Sequence, residues 1–484
     1  MKEVILVYCG LDIIDVDSST YKERRSALNA VQGKSFPPLG LLYLAAVLEK
    51  EKIEVGLIDV SLLKGGLKEA IEILKISQPK VIGLYVSSFN LYLVRLLISQ
   101  LKTSGLKSKI VIGGPHVHYC TDSVQYLGAD FGFVSDGEYG FLDLVTKILN
   151  NDSDFDNIPN LIRKQGGGVF LNPIKKIENL DSLPYPARHL WPYKEYFSPL
   201  VSGKATAAIT SRGCVFDCVF CALPDKGQSR VRSAESVVDE YSLLQDQGFT
   251  YLELQDDFFT YDKERVERIC RELIRKKIKL KWTCLTRADF TDKKLLLLMR
   301  KAGCTHIKYG IESGSEKIRN NIMKKFISNS QIEETVKATR GAGIFTVGYF
   351  LLGAEEETMF DLGQTLKFAK RLNLDYVDFN IMALIPGSQV FKNALKKGKF
   401  QEDIWERVAS GGEIPYSASQ ELKLSQITDF KEKAMREHYF NPGFFFKEIF
   451  LRTKGFSSFV NKTKILLNIL DFHRRYSNFQ KGLD

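Results

Sequence analysis

One short stretch, residues 209–224, constrains this chain more than any other. It reads ITSRGCVFDCVFCALP and holds Cys214, Cys218 and Cys221, separated by three and then two residues. Thiolates gathered this closely point to a metal centre rather than to disulfides. The number of ligands narrows the choice. A closed structural zinc site wants four ligands, and the nearest histidine, His189, lies well upstream. A cube of four irons and four sulfides held by three thiolates keeps one iron open for an outside ligand. The stretch reads as the ligand loop of such a cluster, in preference to zinc or to three cysteines that are merely buried.

At 484 residues the chain is too long for one ordinary core, so two or three domains are expected. Eight cysteines in this length make no disulfide scaffold. Cys9, Cys120, Cys270, Cys284 and Cys304 are scattered and read as small buried apolar residues. The apolar run at the start is too short for a signal peptide. No stretch reaches the roughly 18 uninterrupted apolar residues of a spanning helix. A cytoplasmic protein is expected. The formal net charge of +10 is uneven: residues 444–475 hold seven Lys or Arg against two carboxylates, among many Phe.

Residues 1–150 alternate short apolar runs (4–8, 55–60, 81–86, 109–112 and 131–134) with segments of helical periodicity. That alternation predicts an α/β, doubly wound, flavodoxin-like parallel sheet with right-handed crossovers. Ligands of such sheets sit beyond the carboxyl ends of the strands, where strand order reverses. The loops after Tyr8, after Val86 and at Gly113-Gly114-Pro115-His116 would rim that crevice. Residues 151–203 read as a hairpin about three glycines and an extended linker, with Pro184, Pro186 and Pro192 excluding a long helix.

Residues 204–395 repeat the alternation, with strands ending near Ile209, Gln255, Leu285, Ile311, Leu351 and Ile381. Six strand–helix pairs fit a partial (β/α) barrel, whose reactive groups gather at strand carboxyl ends. There lie Asp256 and Asp257, which can accept from an ammonium group. Arg287 is suited to grip a carboxylate bidentately. Glu312, Ser313, Gly353 and Pro386-Gly387 follow at later strand ends. Residues 396–484 form a helical C-terminal region. Its basic, aromatic part is expected to close the open barrel with a solvated face; peripheral contact with an anionic membrane is the second reading. No recognition module for nucleic acid is present, so no nucleic-acid partner is expected.

The cysteine spacing with Phe220 just before Cys221, then LELQDDFFT, WTCLTRADF, YGIESGS, VGYFLLGAEEET and ALIPGS in that order, resembles the radical SAM superfamily across residues 204–395. Residues 36–60, 109–118 and 129–145 look like the cobalamin-binding domain found ahead of many radical SAM cores. The resemblance implies a 4Fe-4S cluster on Cys214, Cys218 and Cys221. It implies S-adenosyl-L-methionine (SAM) held by Phe220, Asp256, Asp257, Arg287, Glu312, Ser313 and Gly353. It further implies cobalamin near Gly113, Gly114, Pro115 and His116. Two departures stand out. The amine-binding phrase, often Gly-Gly-Glu, is Gln255-Asp256-Asp257. The wider cobalamin pattern D-x-H-x-x-G is missing, since the first loop reads CGLDIIDVDSS. His116 and His118 are the nearest substitutes for that histidine, although a His beside Gly-Pro is more often a packing residue.

The group resembled contains the anaerobic magnesium-protoporphyrin monomethyl ester cyclase and related methylases. What it implies is reductive cleavage of SAM to a 5′-deoxyadenosyl radical, used for cobalamin-dependent methylation of an unactivated carbon. A cyclase, coupling or elimination enzyme without methyl transfer is the alternative, and a non-catalytic corrinoid-binding sensor is the alternative of another class. The partners implied are a small-molecule or lipid-like substrate and a low-potential electron donor such as flavodoxin or ferredoxin.

Overall fold

The computed structural model describes residues 2–10, 37–192 and 203–439. The first sheet begins with β1 (Val4–Tyr8), whose five residues VILVY are all buried, as expected of a strand covered on both faces. It continues through β2 (Val55–Asp59), β3 (Val81–Tyr85), β4 (Lys109–Gly113) and β5 (Phe131–Phe133). These five run parallel. Helices α1 (Leu39–Lys50), α2 (Gly66–Ser77) and α3 (Leu91–Thr103) cover the faces. The short α4 (Pro115–Tyr119) and α5 (Ser123–Tyr126) and then α6 (Glu138–Leu149) complete the winding.

The spatial order is β2-β1-β3-β4-β5-β6-β7. It reverses between β1 and β3, which opens a crevice at their carboxyl ends. Strands β6 (Leu161–Gln165) and β7 (Gly168–Leu171) form the glycine hairpin anticipated in the connection. The hairpin is not a free linker element, however. It adds antiparallel to β5 and so covers a three-residue strand that would otherwise be a bare edge.

The second sheet is parallel throughout, in the order β15-β14-β13-β12-β11-β8. Its strands are β8 (Ala205–Ala208), β11 (Tyr251–Leu254), β12 (Lys281–Thr286), β13 (Cys304–Glu312), β14 (Phe345–Leu352) and β15 (Tyr376–Ile381). A two-stranded ribbon, β9 (Ser211–Arg212) with β10 (Arg230–Val231), interrupts the count after β8. Helices α7 (Ala234–Asp246), α8 (Lys263–Arg275), α9 (Lys293–Lys301), α10 (Asn329–Gly341), α11 (Met359–Leu372) and α12 (Gln389–Lys396) follow strands in turn. Outward residues such as Leu252, Leu254, Cys284, Ile307, Tyr309, Phe350 and Phe379 make one apolar cluster with helices α7 to α11.

The C-terminal region divides its contacts. Helix α13 (Ile404–Ala409) returns to the first domain, where Trp405, Val408 and Ala409 join the cluster containing Val94 and Leu97. Helix α14 (Leu424–Tyr439) lies along the open edge at β15. The Tyr439 hydroxyl donates to the Val377 carbonyl at 2.6 Å and accepts from its N–H at 3.0 Å, so both backbone groups of that edge residue are satisfied. The basic aromatic stretch 444–475, for which membrane contact was considered, lies outside the described residues. Among the described residues no helix is long and apolar enough to cross a membrane.

Candidate functional site

The cysteine loop runs between the two strands of the β9–β10 ribbon, which clamps its ends together. Gly213 has φ +92°, and a Cβ there would lie 2.4 Å from the Gln228 carbonyl and 2.7 Å from that of Asp225. Only glycine fits. The Cys214 N–H donates to the Asp225 carbonyl at 3.2 Å, and its own carbonyl accepts from Gly227 at 2.8 Å. The Cys221 N–H donates to the Cys218 carbonyl at 3.1 Å. The loop is thus folded by its own backbone.

All three cysteines are half-buried free thiols. Burial pushes the Cys218 thiol up, while Lys325 and Arg287 favour its thiolate. Burial likewise raises Cys221 to about 11. Among the described residues no three His, Cys, Asp or Glu side chains converge on one point as a single metal ion requires. A cube presents its irons at separate corners and is bound by thiolates that stand apart. Three thiols on one loop with two cations beside them therefore fit an anionic cluster better than a single zinc. Cys270, Cys284 and Cys304 are buried in the outer apolar layer of the barrel and supply no fourth ligand.

The phrases after the cysteines divide into groups that face this loop and groups committed elsewhere. Asp257 lines the cleft beside it, accepts from the Gly213 N–H at 3.2 Å, and is raised to about 6 by burial. Asp256 does not share that role. Its carboxylate accepts from the Thr210 N–H at 2.6 Å, from the Thr210 hydroxyl and from the Ser211 hydroxyl at 2.8 Å, bracing the entry to the loop. Arg287 stacks 3.8 Å over the Phe216 ring and is held by Asp289 at 2.9 and 3.0 Å. Its Nη1 is buried without a hydrogen-bond partner among the described residues, which leaves one donor for a ligand.

Glu312 adopts φ +65° and accepts from Lys325 Nζ at 2.5 Å. A non-glycine residue in the left-handed region stores about 1–3 kcal/mol of strain, characteristic of functional sites. Its partner is Lys325; Lys308 is taken by Glu253 at 2.6 Å. Two expected contacts are not brought to the loop. Ser313 is fully buried, with its hydroxyl bonded to Thr365 at 3.0 Å. Gly353 faces Ser417, and its carbonyl accepts from Ala418 and Ser419 at 2.8 and 3.1 Å. Phe220, within the loop itself, packs against the apolar cluster that holds Ile318, Met323 and Met382.

On the other side of the cleft, Gly113, Gly114 and Pro115 line the carboxyl end of β4, as the crevice argument requires. The cleft has a volume of ≈ 380 Å³ and is walled by Tyr43, Tyr85, Phe133 and Phe141 of the first domain and by Ile209, Arg212 and Asp257 of the second. His116 is not part of it. Both its ring nitrogens are engaged, with Ser88 at 2.9 Å and Tyr126 at 2.6 Å, and the ring packs against Trp405. It is a core residue of the first domain. His118 does line the cleft, and its Nδ1 accepts from the Ser135 N–H at 3.2 Å.

The sequence reading missed an ionic network that joins the walls. Arg212 donates to Asp136 and to Glu138, each at 2.6 Å, and Arg230 donates to Asp136 and Asp225. Asp136, Glu138, Arg212 and Asp225 all line the cleft. Glu138 Oε2 is buried without a partner among the described residues, an acceptor suited to the amide groups around a corrin ring. The apolar walls, the glycine-bearing strand ends and this orphaned oxygen fit cobalamin.

Fold and loop together define a cobalamin-binding α/β domain set over a radical SAM barrel. Residues 25–145 match the B12 binding domain family and residues 208–369 the Radical SAM superfamily. The chain thus carries a B12-binding domain ahead of a radical SAM domain, and these domains imply cobalamin, a 4Fe-4S cluster and SAM as cofactors. It is 29% identical to an uncharacterized methyltransferase of Pyrococcus horikoshii, covering 88% of this chain and 92% of that one. It is 27% identical to the cytidylyl-2-hydroxyethylphosphonate methyltransferase of Streptomyces wedmorensis, over 75% of this chain and 78% of the relative. The radical SAM methyltransferase TsrM of Kitasatospora setae shares the fold, with TM-score 0.66 at 19% identity over 82% and 76% of the two chains.

Proposed function

We infer that this protein is a cobalamin-dependent radical SAM methyltransferase acting on carbon. One observation carries the reading: the cleft is continuous from Gly113 and Gly114 at the first sheet to Arg212, Gly213 and Asp257 at the cysteine loop, so two cofactors held there would face each other. The reading is supported further by the methyltransferase names of the two relatives, which cover most of the chain. When bound, the reduced cluster supplies the electron that cleaves SAM and cobalamin supplies the methyl group.

The protein's own share is positioning. Cys214, Cys218 and Cys221 hold the cluster, and Gly213 fixes the backbone from which they hang. Asp257 accepts from the amino group of SAM and the open Nη1 of Arg287 donates to its carboxylate. Glu312, held by Lys325, takes the ribose hydroxyls. The tyrosine and phenylalanine walls exclude water from the reacting carbon. A low-potential flavodoxin or ferredoxin would supply the electron, and a reducing compartment such as the cytoplasm suits a cluster held by three thiolates.

The test is anaerobic purification with iron, sulfide and corrinoid quantified, then reduction in the presence of SAM. Deoxyadenosine release together with a corrinoid-dependent methylated product is the expected result. Deoxyadenosine released equally without corrinoid, with no methylated product, would replace methyl transfer by the cyclase or elimination reading. No deoxyadenosine from a fully loaded cluster would remove radical chemistry altogether.

A further inference from the structure

The last residue of α4, Tyr119, reaches out of the first domain to two segments of the second. Its hydroxyl donates to the Leu223 carbonyl at 2.8 Å, two residues beyond Cys221. Its ring lies against Gly387, in the Pro386-Gly387 turn that follows β15. Gly387 has φ +90°, and a Cβ there would stand 2.3 to 2.5 Å from three ring carbons. The glycine singled out by its strand-end position is therefore the seat of an aromatic ring from the other domain. The start of α4 is fixed as well. Gly114 has φ +121°, and a Cβ there would meet the Val86 carbonyl at 2.6 Å, so the helix begins hard against the loop after β3. Gly114, Pro115 and His118 line the cobalamin cleft, and the His118 ring packs edge-on to Tyr119 with centroids 4.6 Å apart. Tyr119 is held from the cleft side and from the barrel side at once.

The residue it holds stands next to a cluster ligand. Leu223 precedes Pro224, which narrows it to extended backbone, so its N–H and carbonyl turn as one unit. A bond to the carbonyl therefore fixes the N–H. Burial raises the Cys221 thiol, and against that the Leu223 N–H and Lys226 favour the thiolate. Hydrogen bonds to the sulfurs help to set the potential of an iron–sulfur cluster. Reduction adds a negative charge, so an N–H directed at a ligating sulfur favours the reduced form. Burial first, then Cys221 and Asp225, push the Tyr119 hydroxyl up to about 12, so it remains a donor at neutral pH.

We propose that Tyr119 is a positioning residue for the cluster: by holding Leu223 it keeps that N–H on the Cys221 corner and so raises the reduction potential from the cobalamin-binding domain. This rests on the radical SAM reading and deepens it, because it ties the centre that accepts the electron to the domain that carries the second cofactor. The ring on Gly387 supplies the fixed point, and the hydroxyl on Leu223 transmits it.

The experiment uses the full chain with reconstituted cluster, titrated with dithionite and followed by the electron paramagnetic resonance signal of the reduced cluster against potential. Y119F removes the hydroxyl and keeps the ring. Its iron and sulfide content should match the wild type, while its reduction equilibrium constant should fall about tenfold, or about 59 mV for one electron. G387A keeps the hydroxyl but displaces the ring, and its potential should fall as well. Y139F loses a comparable hydroxyl-to-carbonyl bond, to Ser182 in the connection, and should keep the wild-type potential. A potential at or above the wild-type value in Y119F or in G387A overturns the proposal, as does an equal fall in Y139F or loss of iron from Y119F. Deoxyadenosine release by the reduced wild type with SAM reports on the radical SAM reading separately.

Discussion

The guanidinium of Arg212 donates to Glu138 Oε1 at 2.6 Å, tying the residue before Gly213 to the first turn of α6 in the other domain. The same guanidinium reaches Asp136 at 2.6 Å, so a single side chain spans the cleft. R212M should leave Glu138 buried without its partner and Asp136 with Arg230 alone. Breaking a buried pair from one side costs about 3–5 kcal/mol. Urea unfolding should show that loss, and corrinoid affinity should fall with it. A variant as stable as the wild type that binds corrinoid equally would mean the network plays no part in holding the domains together.

Replacing Cys218 with Ala should abolish the brown chromophore and lower bound iron to background. The far-ultraviolet circular dichroism should be unchanged, because the first sheet and the barrel have cores that do not include this residue. Retention of a full cluster in C218A would show that other groups ligate it.

Two glycines separate strain from collision. Gly105 has φ +77° in open space, so G105A carries only the backbone cost of about 1 kcal/mol. Gly213 combines φ +92° with backbone carbonyls at 2.4 and 2.7 Å. G213A should lose several times more stability and most of its iron. Thermal midpoints and iron analysis of the pair decide this, and equal behaviour would remove the steric argument.

His116 supplies a pH dependence with a definite sign. Burial pushes its pKa down to about 3, whereas the unfolded chain titrates near the ordinary value of about 6.5. The folded state therefore holds the neutral ring, and its stability is intact above about 6.5. As pH falls below that value the unfolded state gains a proton, and stability drops by up to about 1.4 kcal/mol per unit. H116Q retains groups able to bond Ser88 and Tyr126 but does not titrate. Its deficit relative to the wild type should shrink between neutral pH and about pH 5. A deficit constant across that range would show that His116 protonates in the fold.

The cysteine loop and the strand–helix alternation were legible because both are local. Thiol spacing is read directly along the chain, and a two-residue or helical period shows which face is apolar. The same reading placed Asp257 and Arg287 at the site, since strand ends in a parallel sheet all point one way. It gave Asp256, Ser313 and Gly353 the same standing, because a strand-end position does not show whether a side chain's hydrogen bonds are already used. Asp256 is taken by Thr210 and Ser211, Ser313 by Thr365, and Gly353 by the segment at residues 417–419.

From its sequence alone this chain was bound to carry three thiolates on one loop and two parallel sheets, since close cysteine spacing and apolar periodicity act within a few residues. Which polar groups stay open to a ligand was decided only by the tertiary structure. Arg212 meets Glu138 and His116 turns inward to Ser88 because segments distant in the chain pack together. Hydrogen bonds and ion pairs form over about 3–4 Å in space, with no regard to separation along the chain.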